Sequence, residues 1–301
     1  MTAPAPPATR ASWWHRTREA RAGYLFVLPM LLLFIVFRFA PTVESAFFSF
    51  TEFYPGGVPT LVGLDNYTRL LEDPTFWDSL QVTVVFALIL VPLTVGMALG
   101  TALGLHHVIF WRGFFRGVYF LPYVTSLILA AVIWEWAYDE EDGLINGLLS
   151  RFGVEPLSFL GDSVLVLPAV ALMVAWKNFG YSMLILLAGL QAVPPSYVEA
   201  ARVDGASGMQ IFRLIVLPLL RPVLFFVIVI NTVIAFQIFE PMYVMTGGGP
   251  VHASYTLVYL LYDSGFKYLD FGYASTVGMV LFLIVVTISL AQRYALDREK
   301  E

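Results

Sequence analysis

Long apolar segments constrain this chain more than any other feature of its sequence. Hydrophobic residues make up 58% of the 301 residues and charged residues only 13%, whereas soluble domains carry about 25% charged residues. A segment of about 20 apolar residues can cross the hydrocarbon core of a bilayer as a helix. Only helices and closed barrels satisfy their backbone groups in lipid, and no alternating barrel pattern is present. The sequence therefore predicts an all-α integral membrane protein.

Six transmembrane helices are predicted, each about 18 to 27 residues long. They are Tyr24–Phe47, Leu80–Leu105, Val118–Ala137, Val164–Leu190, Ile215–Phe239 and Ala274–Ala291. The predicted organisation is a basic N-terminal segment at residues 1–22, a six-helix transmembrane domain at 23–295 and a tail at 296–301. The chain has no cysteine, which excludes a disulfide framework and thiolate chemistry.

The distribution of lysine and arginine predicts the orientation of these helices. If the N-terminus is inside, 12 of the 17 basic residues fall in inner segments, and only Arg69, Arg151 and Lys267 fall in outer loops. The two others, Arg38 and Lys177, lie within spans. Because basic residues concentrate on the cytoplasmic side, both termini and the loop at residues 193–214 are predicted to be cytoplasmic.

The loop at residues 193–214 contains its own helix signals. Pro194-Pro195 ends the preceding helix, and Ser196 stands three residues before Glu199, which is the spacing of a capping box. Gly205 can supply the left-handed position that ends a short helix. We therefore expect a short helix that lies along the membrane surface.

A second helix start follows this turn. Ser207 and Gln210 repeat the capping spacing, and Pro218 and Pro222 are expected to bend the helix that re-enters the membrane.

The same loop resembles the EAA loop of binding-protein-dependent ABC importers. The resemblance is carried by Glu199-Ala200-Ala201, Asp204-Gly205-Ala206 and Leu217-Pro218, after a lead-in at Ala188–Pro195. In that family the short helix is the coupling helix, which docks in a groove of the cytoplasmic ATPase. The resemblance thus assigns coupling to Glu199, Ala200, Ala201, Asp204 and Gly205. The alternative is an ordinary loop between helices with two caps.

Other segments extend the resemblance over most of the chain. They are Gly63–Tyr67, Leu121–Tyr123, Thr246–Pro250 and Phe271–Ser275. Together they resemble the carbohydrate-uptake branch, and within it the first of two membrane subunits that import maltose, other oligosaccharides or glycerol-3-phosphate. The resemblance implies the transmembrane fold of type I ABC importers in a bacterial plasma (inner) membrane. It also implies a second permease subunit, two ATP-binding subunits that hold ATP and Mg, and an extracytoplasmic solute-binding protein, with no cofactor on this chain.

Several polar side chains interrupt the predicted spans. A charge in the bilayer costs at least about 2.5 kcal/mol, so it normally faces a cavity or a partner. The charged residues are Arg38, Glu135, Lys177 and Glu240, and the uncharged ones are Asn178, Asn231 and Gln237. Lys177 is predicted near mid-membrane and the other charges nearer the outside, which would suit an outward cavity for a polar solute.

Lys177 lies in the most suggestive cluster, the segment Trp176–Tyr181. Aromatic rings stack on sugar rings, and amide or ammonium groups bond hydroxyls. The resemblance places solute contacts near Lys177, Asn178, Tyr181, Ile234, Ala235 and Ile238. The last three replace an aromatic residue and two amides, so Gln237 is the neighbour with suitable chemistry. Lys177 could contact the solute, form an ion pair with Glu135 or Glu240, or contact the second permease subunit.

No catalytic, metal or nucleotide site is readable, and the chain is predicted not to be an enzyme. Gly247–Pro250 lacks the Gly-Lys-Ser/Thr of a phosphate loop. Adjacent His106 and His107 point about 100° apart on a helix, so they do not form a metal pair. The alternative function is an ion-coupled secondary transporter using Lys177, Glu135 and Glu240, although the paired halves of such proteins are not seen.

Overall fold

The computed structural model describes residues 13–107 and 110–298, with side chains at 24–106 and 110–294. The first 12 residues, including Arg10, and the end of the tail, including Lys300, lie outside the described residues. The basic residues between 13 and 23 are described by their backbone alone.

Thirteen α-helices and one short hairpin make up the described residues. The first half contains α1 (Trp13–Phe34), α2 (Ala40–Phe48), β1 (Thr51–Glu52), β2 (Thr60–Leu61), α3 (Asp65–Glu72), α4 (Pro74–His107), α5 (Arg112–Val124), α6 (Leu127–Ala137) and α7 (Leu144–Ser150). The second half contains α8 (Val166–Gln191), α9 (Pro195–Val203), α10 (Gly208–Ile211), α11 (Leu217–Phe236), α12 (Leu257–Tyr262) and α13 (Phe271–Arg298). Four π-helical turns join or extend them, at Ile35–Phe39, Phe212–Val216, Met242–Thr246 and Asp263–Lys267.

By length and composition, five helical segments of the described chain can cross a membrane, or six if the bent pair α5–α6 is one span. The prediction of an all-α membrane fold is therefore confirmed. The prediction of a continuous third span at Val118–Ala137 is wrong. Thr125 and Ser126 are extended, and α5 and α6 meet there at 94°. Pro122 lies just ahead of this break. It has no backbone N–H to donate, and its ring disfavours a helical conformation in the residue before it.

Helix α8 is the centre of the molecule. Two thirds (67%) of its 18-residue apolar window is buried, whereas none of the equivalent window is buried in the first span, Tyr24–Phe48. Its N-terminal half packs through Met173 and Val174 into a core shared with α4, α12 and α13. Its C-terminal half packs through Leu186 against Leu220 of α11. Side chains on α8 therefore reach most parts of the fold, while the apolar window of the first span has no buried residue and is open to lipid or another subunit.

The loops that are predicted to lie outside the membrane are tied to the transmembrane helices around one backbone carbonyl. Asn66 donates to the Thr51 carbonyl at 2.8 Å and to the Ser49 carbonyl at 3.2 Å. A Cβ atom at Gly272 would overlap the same Thr51 carbonyl oxygen. Both residues belong to segments that carried the resemblance, so their residue types are explained by packing.

A charged network joins α3 to the N-terminal ends of α4 and α13. Arg69 donates to Asp270 at 2.7 Å and lies 4.2 Å above the ring of Tyr273. The Tyr273 hydroxyl donates to Asp73 at 2.6 Å. Nearby, burial and the Asp263 carboxylate raise the pKa of the Tyr255 hydroxyl, which donates to that carboxylate. These contacts hold the outer face together.

Candidate functional site: a coupling loop and a mid-membrane cluster

Helix α9 begins two residues earlier than the capping pattern predicts. Pro195 occupies the first helical turn and the extended Pro194 is the N-cap, with no side-chain cap. Proline is favoured at the first helical position because its missing N–H would lack a partner there. Ser196 therefore lies inside the helix, and the predicted capping box between Ser196 and Glu199 is wrong.

The end of α9 is the predicted glycine turn. Gly205 has φ +79°, and the N–H of Ala206 donates to the Ala201 carbonyl at 2.9 Å. The N–H of Gly205 donates to the Arg202 carbonyl at 3.1 Å. These two bonds form a Schellman motif, which satisfies the last carbonyls of a helix. The left-handed glycine therefore fixes where α9 ends and where the chain turns.

The second helix start is also confirmed. The Ser207 N–H donates to the Gln210 side chain at 2.7 Å, and the Gln210 N–H donates to the Ser207 hydroxyl at 3.4 Å. A π-helical turn at Phe212–Val216 leads into α11, and the bend expected at Pro218 and Pro222 stays a prediction.

The loop presents its polar residues outward. Glu199, Ala200, Asp204 and Gly205 are exposed and Ala201 is half-buried. Within the described chain, no side-chain hydrogen bond or ion pair holds Glu199 or Asp204, so these two carboxylates do not fix the loop's shape. Backbone caps do so instead, and both carboxylates are available to a partner.

A cavity of about 660 Å³ separates α9 from the helix ends above it. Most of its lining is apolar and comes from α4, α8, α9 and the start of the next span, including Leu103, Leu190, Val198 and Phe212. Helix α9 is therefore joined to the membrane helices mainly through its two ends.

The mid-membrane cluster is organised by Lys177 of α8. The residue is 7% exposed, and its ammonium group donates to the Tyr123 carbonyl at 3.1 Å. The ammonium also lies 5.5 Å from the centre of the Tyr123 ring, within the range of a cation–π interaction. Glu135 and Glu240 are both exposed, and neither forms an ion pair with Lys177 in the described chain. The ion-pair alternative is therefore absent from this conformation.

Tyr181 lies one turn along the same face. Its ring stacks on Tyr123 with a centroid distance of 4.8 Å and an interplanar angle of 11°. Between them, Gly180 brings the two helices close, since a Cβ atom there would overlap the Tyr119 carbonyl oxygen. Lys177, Gly180 and Tyr181 thus form one stripe against α5.

The other predicted pathway residues are dispersed. Asn231 is 1% exposed and its amide donates to the Ser182 hydroxyl at 3.0 Å and the Val227 carbonyl at 2.8 Å. In this conformation the Asn231 side chain therefore joins α11 to α8, and its pathway role stays a prediction. Asn178 is half-buried on α8, and Gln237 and Glu240 are exposed beyond the end of α11.

The sequence analysis did not identify the residues of α5 and α6 that contact this cluster. Tyr123 lies just before the break in the third span, and Trp134 of α6 contacts Trp176 of α8 at a centroid distance of 5.5 Å. The signal that could have found it was the sequence Pro122-Tyr-Val-Thr-Ser126, in which proline and two hydroxyl residues interrupt an apolar run.

Comparison with known proteins decides the family. The model of binding-protein-dependent transport system inner membrane components matches residues 95–300, which is more than half of the chain. The chain belongs to this family. It is therefore a membrane permease subunit of an ATP-driven, binding-protein-dependent importer and not an enzyme, as predicted.

Relatives match this chain over nearly its whole length. The trehalose/maltose transport system permease protein MalF of Thermococcus litoralis is 37% identical over 91% of this chain and 92% of that protein. The sn-glycerol-3-phosphate transport system permease protein UgpA of Agrobacterium fabrum is 36% identical over 89% and 92%. The arabinooligosaccharides transport system permease protein AraP of Bacillus subtilis is 35% identical over 95% and 93%.

A solved structure supports the fold. A chain of the bacterial alginate ABC transporter, crystallised with an alginate pentasaccharide-bound periplasmic protein, superimposes with a TM-score of 0.82 at 20% identity. The match covers 96% of this chain and 98% of that chain. The expected type I importer fold is thereby confirmed. Family membership implies a second permease, ATPase subunits and a solute-binding protein as partners, and a multi-pass location in the bacterial inner membrane.

Proposed function

We propose that this permease forms half of a translocation pathway for a sugar, an oligosaccharide or a glycerophosphate-type solute. The proposal draws on relatives named for trehalose and maltose, arabinooligosaccharides and sn-glycerol-3-phosphate transport. Aromatic, amide and ammonium groups at Tyr181, Asn178 and Lys177 suit such hydroxylated or phosphorylated solutes. Gln237 and Glu240 supply polar groups at the outer end of α11. Asn231 supports the pathway by holding α11 against α8.

The proposed complex contains this chain, one other permease subunit, two ATP-binding subunits and an extracytoplasmic solute-binding protein. ATP and Mg are held by the ATP-binding subunits. Both termini face the cytoplasm, an orientation supported by the excess of basic residues in the inner segments. Helix α9 then lies on the cytoplasmic side, where an ATPase can reach it.

The observation that carries the coupling role is the exposure of α9. Glu199, Ala200, Asp204 and Gly205 are exposed, and the shape of the loop is set by backbone caps rather than by Glu199 or Asp204. A short helix of this kind can enter a groove without losing internal contacts. We infer that Glu199, Ala200, Ala201, Asp204 and Gly205 contact the ATPase and transmit its closure to α8 and α11.

Reconstituted uptake tests the proposal. The purified complex in proteoliposomes, supplied with solute-loaded binding protein, should accumulate solute only when ATP is present. Dissipation of proton and sodium gradients by ionophores should leave this uptake intact. Uptake that requires a gradient and not ATP would instead establish the ion-coupled alternative.

The solute itself is best identified through the partner solute-binding protein. Calorimetric titration with maltose, arabinooligosaccharides and glycerophosphodiesters should give saturable binding for one class. The same compound should then stimulate ATP hydrolysis by the complete complex. Failure of all three classes would refute the proposed solute range.

A further inference from the structure

The break between α5 and α6 leaves helix-end carbonyl groups inside a membrane protein. The last carbonyls of a helix have no partner within the helix, and lipid offers no donor. The Pro122 carbonyl accepts from the Thr125 N–H at 3.2 Å and from the Thr125 hydroxyl at 2.7 Å. The next carbonyl, that of Tyr123, accepts from the Lys177 ammonium. The local sequence and α8 therefore each satisfy one carbonyl at the break.

Lys177 is suited to this position by its charge as well as by its reach. The carbonyl end of a helix carries partial negative charge, and a cation placed there is favourable. The ammonium is buried, with the Tyr123 carbonyl and ring as its nearest partners in the described chain. The negative end of α5 thus takes the place of the carboxylate that a buried ammonium usually has.

Neighbouring residues of α8 hold the two halves of the broken span separately. Lys177 contacts α5 through Tyr123, and Trp176 contacts α6 through Trp134. Close approach at Gly180 and the Tyr181–Tyr123 stack set the distance between α8 and α5. One turn of α8 therefore determines the angle between α5 and α6.

We propose that Lys177 is a positioning residue for transport. Its hydrogen bond to the Tyr123 carbonyl, here called the latch, holds the broken third span against α8 and so keeps the Tyr123–Tyr181 pair in place. This inference rests on the proposed function for its effect on uptake, while the latch itself is a property of the chain. Because the latch is a single hydrogen bond from a flexible side chain, it can be released without unfolding either helix.

The test uses spin labels on the two halves of the span. The chain contains no cysteine, so Leu121→Cys on α5 and Ile133→Cys on α6 would be its only two labelling sites. The native residues are 66% and 54% exposed, so labels there should not disturb packing. Electron–electron distance measurements on the complete complex in nanodiscs report the break geometry, and uptake is measured in parallel with the unlabelled complex.

Lys177→Met keeps the length of the side chain but cannot donate. We expect it to shift or broaden the label distance and to reduce the maximal uptake rate roughly tenfold, the size expected for one buried charge-assisted hydrogen bond. The concentration of loaded binding protein that gives half-maximal uptake should stay the same. Lys177→Arg should restore both the distance and the rate, since arginine also donates.

Thr125→Val provides a second test at the same helix end if Lys177→Met does not fold. It removes only the hydrogen bond from the Thr125 hydroxyl to the Pro122 carbonyl. It should therefore change the label distance and the maximal uptake rate in the same direction as Lys177→Met, by a smaller amount. Unchanged distances in both variants would overturn the latch.

The remaining outcomes separate the latch from the proposed function. Lower uptake by Lys177→Met with an unchanged distance would overturn the latch and indicate that Lys177 contacts the solute. A shifted distance with normal uptake would overturn the transport role while leaving the latch. Absence of ATP-driven uptake by the unmodified complex would overturn the proposed function, and the distances would still test the latch.

Discussion

The turn after α9 allows a prediction that separates the effect of the Gly205 backbone conformation from the effect of steric contacts. Gly205 has φ +79°, and a Cβ atom there would have no neighbour within 4 Å. Gly205→Ala therefore introduces no clash, and its cost is that of holding alanine in the left-handed region, about 1–2 kcal/mol. That energy corresponds to a factor of about 5 to 30 in a population. We expect the docking-competent form of the loop to decrease by this factor.

The matched control is Gly208→Ala in the same loop. Gly208 also has no neighbour within 4 Å of its Cβ position, and its φ is not in the left-handed region. It begins α10, where alanine is at least as favourable as glycine. Gly205→Asn is the conservative variant, because asparagine tolerates the left-handed conformation better than alanine does.

The assay measures how tightly the purified ATP-binding subunits bind proteoliposomes that contain the permease pair. Gly205→Ala should weaken binding about 5- to 30-fold, Gly205→Asn should weaken it less, and Gly208→Ala should bind like the unmodified chain. Equal binding by Gly205→Ala and Gly208→Ala would refute the reasoning that the glycine turn shapes the docking surface.

Three further predictions follow from the same structure. Glu199→Lys should abolish ATP-dependent uptake while leaving thermal stability in detergent unchanged, because Glu199 is exposed; the same change at exposed Glu140 is the control, and a loss of stability would show that Glu199 is structural after all. Gly180→Ala should lower the unfolding free energy by about 1–3 kcal/mol through overlap with the Tyr119 carbonyl, whereas Gly117→Ala on α5, which has open space, should not; equal melting temperatures would contradict the close approach. Asp270→Ala should destabilise the outer face by about 1 kcal/mol through loss of the cap that it provides to the Tyr273 N–H, and Asp270→Asn, which can still cap, should cost less; the reverse order in thermal unfolding would show that the ion pair with Arg69 dominates.

The capping pairs show where local sequence is sufficient and where it is not. Ser196–Glu199 and Ser207–Gln210 have the same spacing, yet only the second forms a capping box. The difference is Pro195, which starts the helix itself and moves Ser196 inside it. A spacing rule applied without the preceding residue therefore gives the wrong N-cap, while the glycine turn at Gly205 needs only local backbone conformation and is predicted correctly.

The transmembrane segments show the same division between local and tertiary information. Five of the predicted spans appear at the expected places because apolar length alone determines them. The break in the third span was not predicted, since the residues on both sides of Thr125 and Ser126 are apolar. Its stabilising partner, Lys177, is 54 residues away from Tyr123 in sequence. No periodicity rule could connect the two, and the carboxylates Glu135 and Glu240 were the more obvious partners for a lysine.

A cysteine crosslink from Ala200 tests the coupling role of α9 most directly. Ala200 is exposed on α9, and because the chain has no cysteine, Ala200→Cys would be its only reactive thiol. In the complete complex this thiol should crosslink to an ATP-binding subunit and should resist membrane-impermeant reagents added outside intact cells. Val58→Cys, at an outer-loop position that is 84% exposed, should show the opposite behaviour. Labelling of Ala200→Cys from outside, or the lack of any crosslink to an ATP-binding subunit, would contradict the proposed coupling function.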